Sequence, residues 1–314
     1  MPKNLPSSAN RISAKQMREA IGKSGYLLEQ RVEPILWEAG YYVQANPAYP
    51  DPQTGKSREI DISALSATRV YKNGFHFLFP FLLCECENNS QPIMFFTKES
   101  PIAFTHTWEV KASGVPVKFW DGEGYVSFSD FTNMEQFHHY CKGDIATQYC
   151  SFQLTKDKSS WVALHNEEQH NTLDFLIKAL EYEIAKHFDS WALPDEGEEE
   201  MVNIQVYYPL IVLQGGLYSA SLVNNHLILR KSKHVQFRKE FFLPRTNEVE
   251  TYQIDVISEE YLRDYLKMID SEMEKVKRIF QRKKKEVLIS ILKIVEEAKG
   301  LKEKPKSYRE YLEF

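Results

Sequence analysis

Two short segments carry the acidic residues best suited to chemistry: Arg58-Glu59-Ile60-Asp61-Ile62, and Leu83-Cys84-Glu85-Cys86-Glu87-Asn88-Asn89-Ser90-Gln91-Pro92. A strand turns every second side chain to one face, so Glu85 and Glu87 point together, and an aspartate from a neighbouring strand can join them. Three carboxylates meeting in this way form an oxygen-rich site for a hard divalent cation. The apolar residues around the acids argue against a solvated surface. The chemistry to expect is metal-assisted hydrolysis of a phosphodiester.

The elements that must position these acids are legible nearby. Residues 24–40 combine Ser24 as a capping residue, apolar positions at helical spacing and a terminating Gly40, which predicts a helix bent near Pro34. A strand starts at Tyr41-Tyr42-Val43-Gln44, and residues 50–56 have turn chemistry leading into the strand of Asp61. Asn73-Gly74 is a hairpin signal between the strands of Asp61 and Glu85, and Pro80 interrupts the second. A two-residue turn there would set Lys72 opposite Phe75 and Asp61 opposite Cys86, on the wrong face. A common face for Asp61 and Glu85 therefore requires an odd-residue irregularity, either a bulge near Pro80 or a longer loop.

Further along, residues 132–149 read as a helix broken at Gly143, and residues 172–188 as a helix with Leu173, Leu176, Ile177, Leu180 and Ile184 on one face. Asp195-Glu196-Gly197-Glu198-Glu199-Glu200 reads as a solvated loop separating the two halves of the chain. Strands are expected at 202–213, 217–223, 226–231, 235–243 and 251–257. From Ser258 the chain is helical, with Leu262, Leu266, Ile269, Met273, Val276 and Phe280 at a four-three spacing that resumes at Val287, Ile291 and Ile294, and Lys283 breaking the seam. This is either a helix or helical pair packed on the body, or a coiled coil that makes a homodimer. The division expected is an α/β core over 15–257 and a helical extension over 258–314.

The acids and the helix before them resemble the PD-(D/E)xK superfamily, the restriction-endonuclease-like nucleases. Gly25-Tyr26-Leu27-Leu28-Glu29-Gln30-Arg31-Val32 is similar to that family's first helix with its acidic residue, Asp61 to the motif aspartate, and Glu85-Cys86-Glu87 to the Glu-x-Lys. The resemblance covers residues 24–95. It implies an α/β fold, of mixed α+β type, with a central mixed sheet flanked by helices. It also implies hydrolysis of nucleic acid, DNA in the first instance, with Mg2+ or Mn2+ as cofactor. Asp61 and Glu85 would be direct ligands, Glu29 would order a water, and Glu87 stands where the family has a lysine. The substitution exchanges a cation for an anion, which increases the need for metal and leaves an alternative: a catalytically inactive nuclease fold that binds nucleic acid or a protein partner.

The remaining signals are weaker. Trp108-Glu109-Val110-Lys111 contains a formal Glu-x-Lys but lacks the apolar run of a central strand. Glu59 shares a face with Asp61 and is a further candidate ligand. Pairing of Glu29 with Arg31 or Arg58 would make the acids an ordinary salt-bridge network. The nine histidines show no zinc spacing, and His138-His139 on a helix would point in different directions. Cys84 and Cys86 face away from the acids as small core residues, and four cysteines in 314 residues form no disulfide framework. A net charge of −5 leaves nucleic-acid contact to local basic patches, at Arg230, Lys231, Lys233, Arg238 and Lys239, and at Lys275 to Lys285. The longest apolar stretch, residues 77–84, is too short to span a bilayer and the amino terminus lacks a signal-peptide core, so a cytoplasmic protein without membrane contact is expected.

Overall fold

The computed structural model describes residues 12–22, 24–100, 102–116, 118–165, 167–190, 201–244 and 246–300. Helices α1 (Ala14–Ile21) and α2 (Tyr26–Glu38) precede strands β1 (Tyr42–Ala45), β2 (Ala48–Pro50), β3 (Ser57–Glu59), β4 (Ile62–Leu65), β5 (Thr68–Arg69), β6 (His76–Glu87) and β7 (Ile93–Glu99). After a 3-10 segment at Ala103–Glu109 come β8 (Ala112–Val115), β9 (Phe119–Trp120), β10 (Tyr125–Val126), helix α3 (Phe128–Thr132), β11 (Asp144–Leu154) and β12 (Trp161–Leu164). Helix α4 (Glu167–Ser190) leads to β13 (Val202–Leu213), β14 (Leu217–Val223), β15 (His226–Lys231), β16 (His234–Leu243) and β17 (Glu248–Ser258). Helices α5 (Leu262–Arg282) and α6 (Lys284–Gly300) follow. The acidic run 195–200 and residues 301–314 of the expected extension lie outside the described residues.

A large mixed sheet runs in the order β1-β4-β6-β13-β17-β16-β11-β7-β14-β15. Its centre is parallel, β6 with β13 and β13 with β17, while β1, β4 and β6 form an antiparallel meander. Helices cover both faces, as the apolar β6 and β13 demand. One face packs against α2, α5 and α6 through Leu28, Val32, Leu82, Cys84, Leu266 and Ile291. The other packs against α4 through Leu83, Leu173, Leu176, Ile177, Leu180 and Ile211. The apolar seam expected beyond Ser258 therefore faces this chain's own core. Lys283 ends α5, donating to the Phe131 carbonyl at 2.9 Å.

Two local readings change. Residues 132–149 are not a helix: after α3 the chain makes 3-10 turns at Met134–Gln136 and His139–Cys141 and enters β11 at Asp144. Gly143, at φ +83, supplies the reversal, and the paired burial along β11, two residues in and two out, is what gave the segment its helical spacing. Pro80 does not interrupt β6, which runs unbroken and in register with β13. Its carbonyl accepts from Ser66 at 3.2 Å, in the gap between β4 and β5, so its missing N–H faces a place where no ladder bond is needed.

One buried titratable group ties α4 to the sheet. His187 Nδ1 lies 2.7 Å from Ser113 Oγ on β8, and burial pushes the ring down to about 4 from its ordinary 6.5. The unfolded chain takes up that proton below 6.5 while the fold resists it until about 4, so stability falls with pH across this window. Urea melts at pH 7 and pH 4 should show wild type losing about 3 kcal/mol more than His187→Gln. Equal acid losses in the two proteins would refute the assignment.

Candidate metal centre

The register between β4 and β6 brings the acids together. Ile62 pairs with Cys84 and Leu65 with Phe81, and β5 continues the same register with Thr68 opposite Leu78. Val70 N–H donates to the His76 carbonyl at 2.8 Å, so the connection is the five-residue loop 71–75 and not a two-residue turn. An odd loop length shifts the pairing by one residue, the irregularity the site required, and Asp61 now falls opposite Glu85. Cys84 and Cys86 lie on the other face, buried and free.

Beyond Ile62 the β4–β6 ladder stops, and the Cys86 N–H donates to Asp61 Oδ2 at 2.7 Å. Asn46, at φ +50, donates its N–H to the Asp61 carbonyl at 2.8 Å, and its side chain lies close enough to Glu29 to lower its pKa. The end of β1, the start of β4 and the first turn of α2 are thereby joined around one carboxylate.

Burial pushes the Glu85 carboxyl well above the usual carboxylate range, and the charges of Asp61, Glu87 and Glu29 add to the effect. Asp61 is raised by burial, against the lowering effect of the Cys86 N–H and of its contact with Glu85. Glu29 is raised by burial and then by Asp61. Glu85 therefore feels the charge of each of the other three, and its strongest partner among them is Asp61. The arginine pairing that would have made them structural does not occur: Arg31 binds Glu259 at 2.6 Å and Arg58 meets Asp51 at 3.5 Å. Glu59 stands exposed on β3, in a separate two-stranded sheet, and does not join the group.

The alternative Glu-x-Lys is also accounted for. Glu109 is buried between His106, at 3.1 Å, and Arg238, at 2.9 Å, while Lys111 pairs with Glu250 and lies over the Tyr252 ring. Among the described residues, three ligand atoms come within 4.8 Å of one another at two places, His138–His139–Glu272 and His139–His234–Asp255, neither of them the carboxylate group. No three ligand atoms of Glu29, Asp61, Glu85 and Glu87 come within 4.8 Å of one another.

No family model, curated protein or solved structure matches this chain. The geometry must therefore carry the functional reading alone.

Local packing holds the site. Ser24 does not cap α2; its hydroxyl donates to the Ile21 carbonyl at 2.7 Å, and Gly25 takes the N-cap position. A Cβ on Gly25 would stand 2.9 Å from the Cys86 carbonyl oxygen, so glycine permits the close approach of α2 to β6. Asn88 Nδ2 secures the same junction, donating to the Gly22 and Ser24 carbonyls at 3.1 and 3.0 Å. Gly25→Ala should push Glu29 away from Asp61, costing about 1–3 kcal/mol of stability and weakening binding of divalent ions. Calorimetric titration with Mn2+ and a urea melt check both parts; unchanged values would mean that the approach is not needed.

An open cleft of about 590 Å³ lies where β13 ends, lined in part by Glu259 and Glu260. Leu213, Gln214, Lys231 and Arg263 line it, and the Gln214 N–H donates to the Glu87 carbonyl at 3.0 Å. Of the first basic patch, Arg238 and Lys239 are engaged, with Glu109 and with Asp174 at 2.5 Å, while Arg230 and Lys231 are exposed. In the second, Lys277 pairs with Glu274 and Lys284 lies over the Tyr71 ring. Among the described residues no helix is long and apolar enough to cross a membrane.

Proposed function

We propose that the chain is a metal-dependent nuclease of restriction-endonuclease-like fold, acting on DNA, with Asp61, Glu85, Glu87 and Glu29 around Mg2+ or Mn2+. The observation that carries this reading is the odd-length loop at 71–75. It spends five residues on a connection for which Asn73-Gly74 offers a two-residue turn, and so faces Asp61 to Glu85. Two neighbouring carboxylates at a partly buried position are costly without a proton or cation between them.

The donor set fits a hard cation, being carboxylate oxygen throughout. Asp61 and Glu85 would hold the ion, Asp61 being oriented by the Cys86 N–H. Glu87, on the same face of β6, would add a further carboxylate to the ion or hold a second one. Glu29, beside Asn46, would order a water and accept its proton. Bound there, the ion supplies Lewis-acid stabilisation of the phosphoryl oxygens and acidifies water. The exposed Arg230 and Lys231 would supply the contacts to a phosphate backbone.

Incubation of the purified protein with plasmid and single-stranded DNA tests the reading. Cleavage should appear with Mg2+ or Mn2+, stop on chelation and be absent in Glu85→Ala. Binding of DNA without cleavage under any divalent ion would favour the non-catalytic alternative.

A further inference from the structure

A second polar cluster lies under α5, on the face of the sheet opposite Glu85 and Glu87. His138 and His139 come from the turns before β11, His234 from β16, Asp255 from β17 and Glu272 from α5. The adjacent histidines do not diverge as helical spacing suggested: their rings stack at 4.7 Å. His139 Nε2 lies 2.9 Å from Asp255 Oδ2, and His234 Nε2 lies 2.7 Å from Asp255 Oδ1. The other His139 nitrogen, Nδ1, lies 3.0 Å from Glu272 Oε1.

We infer that His139, His234 and Asp255 form a binding site for a transition-metal dication of the zinc class, with Glu272 and Tyr265 as its orienting residues. Two imidazole nitrogens and a carboxylate are the donors such an ion selects, and the three ligand atoms already lie within 4.8 Å of one another. Ligands about 2.1 Å from a tetrahedral ion stand about 3.4 Å apart, so opening the present nitrogen–oxygen contacts by roughly half an ångström admits it. Metal-binding histidines characteristically donate their second N–H to a carboxylate, and ligating carboxylates are themselves hydrogen-bonded. Both features are built: His139 Nδ1 faces Glu272, and Tyr265 donates to Asp255 Oδ2 at 2.6 Å.

A second observation points to a cation. Asp255 and Glu272 are 0% and 2% exposed, and the basic groups that pair with them are all histidines. One dication bound by neutral imidazoles balances two buried carboxylates without protonating the rings. His138 adds an unpartnered polar atom aimed into the cluster. Its Nδ1 accepts from the Tyr140 N–H, leaving Nε2 as the donor, fully buried, 3.6 Å from Glu272 Oε2 and without a hydrogen bond. His234, whose side chain is 18% exposed, gives the ion access from solvent.

The test uses the untagged full-length protein, stripped with chelator and titrated with zinc in a calorimeter. One zinc per chain is expected, with affinity at least tenfold weaker in His234→Ala and also weakened in Glu272→Gln. Cobalt substitution should give the intense visible absorption of a four-coordinate ion. The loss caused by His234→Ala should be the same in a Glu85→Gln background, which separates this site from the carboxylate group. Absence of zinc binding by wild type, or undiminished binding in a folded His234→Ala, would overturn the inference.

Discussion

Glu85→Gln is expected to melt higher than wild type in the absence of metal and to lose divalent-ion-dependent cleavage by at least about a hundredfold. The opposite signs arise from one cause. In the metal-free fold Glu85 is held against Asp61, with Glu87 and Glu29 nearby, in a place where burial already disfavours charge. An amide of the same shape removes one of the like charges and can donate to Asp61, a gain of about 1 kcal/mol that would raise the melting temperature by about 2 °C in a chain of this size. The same amide is a poor partner for a hard cation. Mg2+ should therefore raise the melting temperature of wild type and leave that of the variant unchanged. A variant that melts lower than wild type, or cleaves as well, would show that the four acids are an ordinary structural network.

Asp255→Ala should be the most damaging single change for stability. Asp255 accepts from His139, His234 and Tyr265 at 2.6 to 2.9 Å and is fully buried. Removing it strands two rings and a hydroxyl around a cavity, while Glu272 keeps its charge. Breaking a buried ion pair from one side costs about 3–5 kcal/mol, a large share of the stability of an ordinary domain. Asp255→Asn, which keeps the shape and one acceptor, should lose less. Urea denaturation of the metal-stripped proteins gives the comparison, and a cost for alanine below about 1 kcal/mol would mean that the histidines find other partners.

The meeting of Asp61 and Glu85 was legible because it depends on local order. A helix acid, an aspartate at the start of a strand and a Glu-x-Glu on a core strand are close in sequence, and strand alternation fixes which faces they share. The clash between the Asn73-Gly74 turn and the Asp61 face even specified the irregularity to seek; the tighter loop was excluded in the fold because Val70 pairs with His76. Strands such as β13, β14 and β15 were readable to their ends because Gly215-Gly216 and Asn224-Asn225 punctuate them, with both asparagines at positive φ.

The histidine cluster was not legible, since its members lie on four elements joined only by the tertiary fold. Spacing rules for zinc sites look for ligands along the chain, and reading residues 132–149 as a helix turned His138 and His139 apart. The signal that was available lies in β17, where Gln253 and Asp255 alternate with the core residues Tyr252, Ile254 and Val256. Polar residues on a strand that is buried on both faces must find partners, and here they find Gln236 and the histidines.

The most direct measurement of the central claim is calorimetric titration of Mn2+ into the His234→Ala protein and into His234→Ala carrying Glu85→Gln, so that the histidine cluster contributes to neither. A saturable Mn2+ site in the first protein and none in the second is the expected result. No binding in the first, or equal binding in both, would contradict a metal centre built on Asp61 and Glu85.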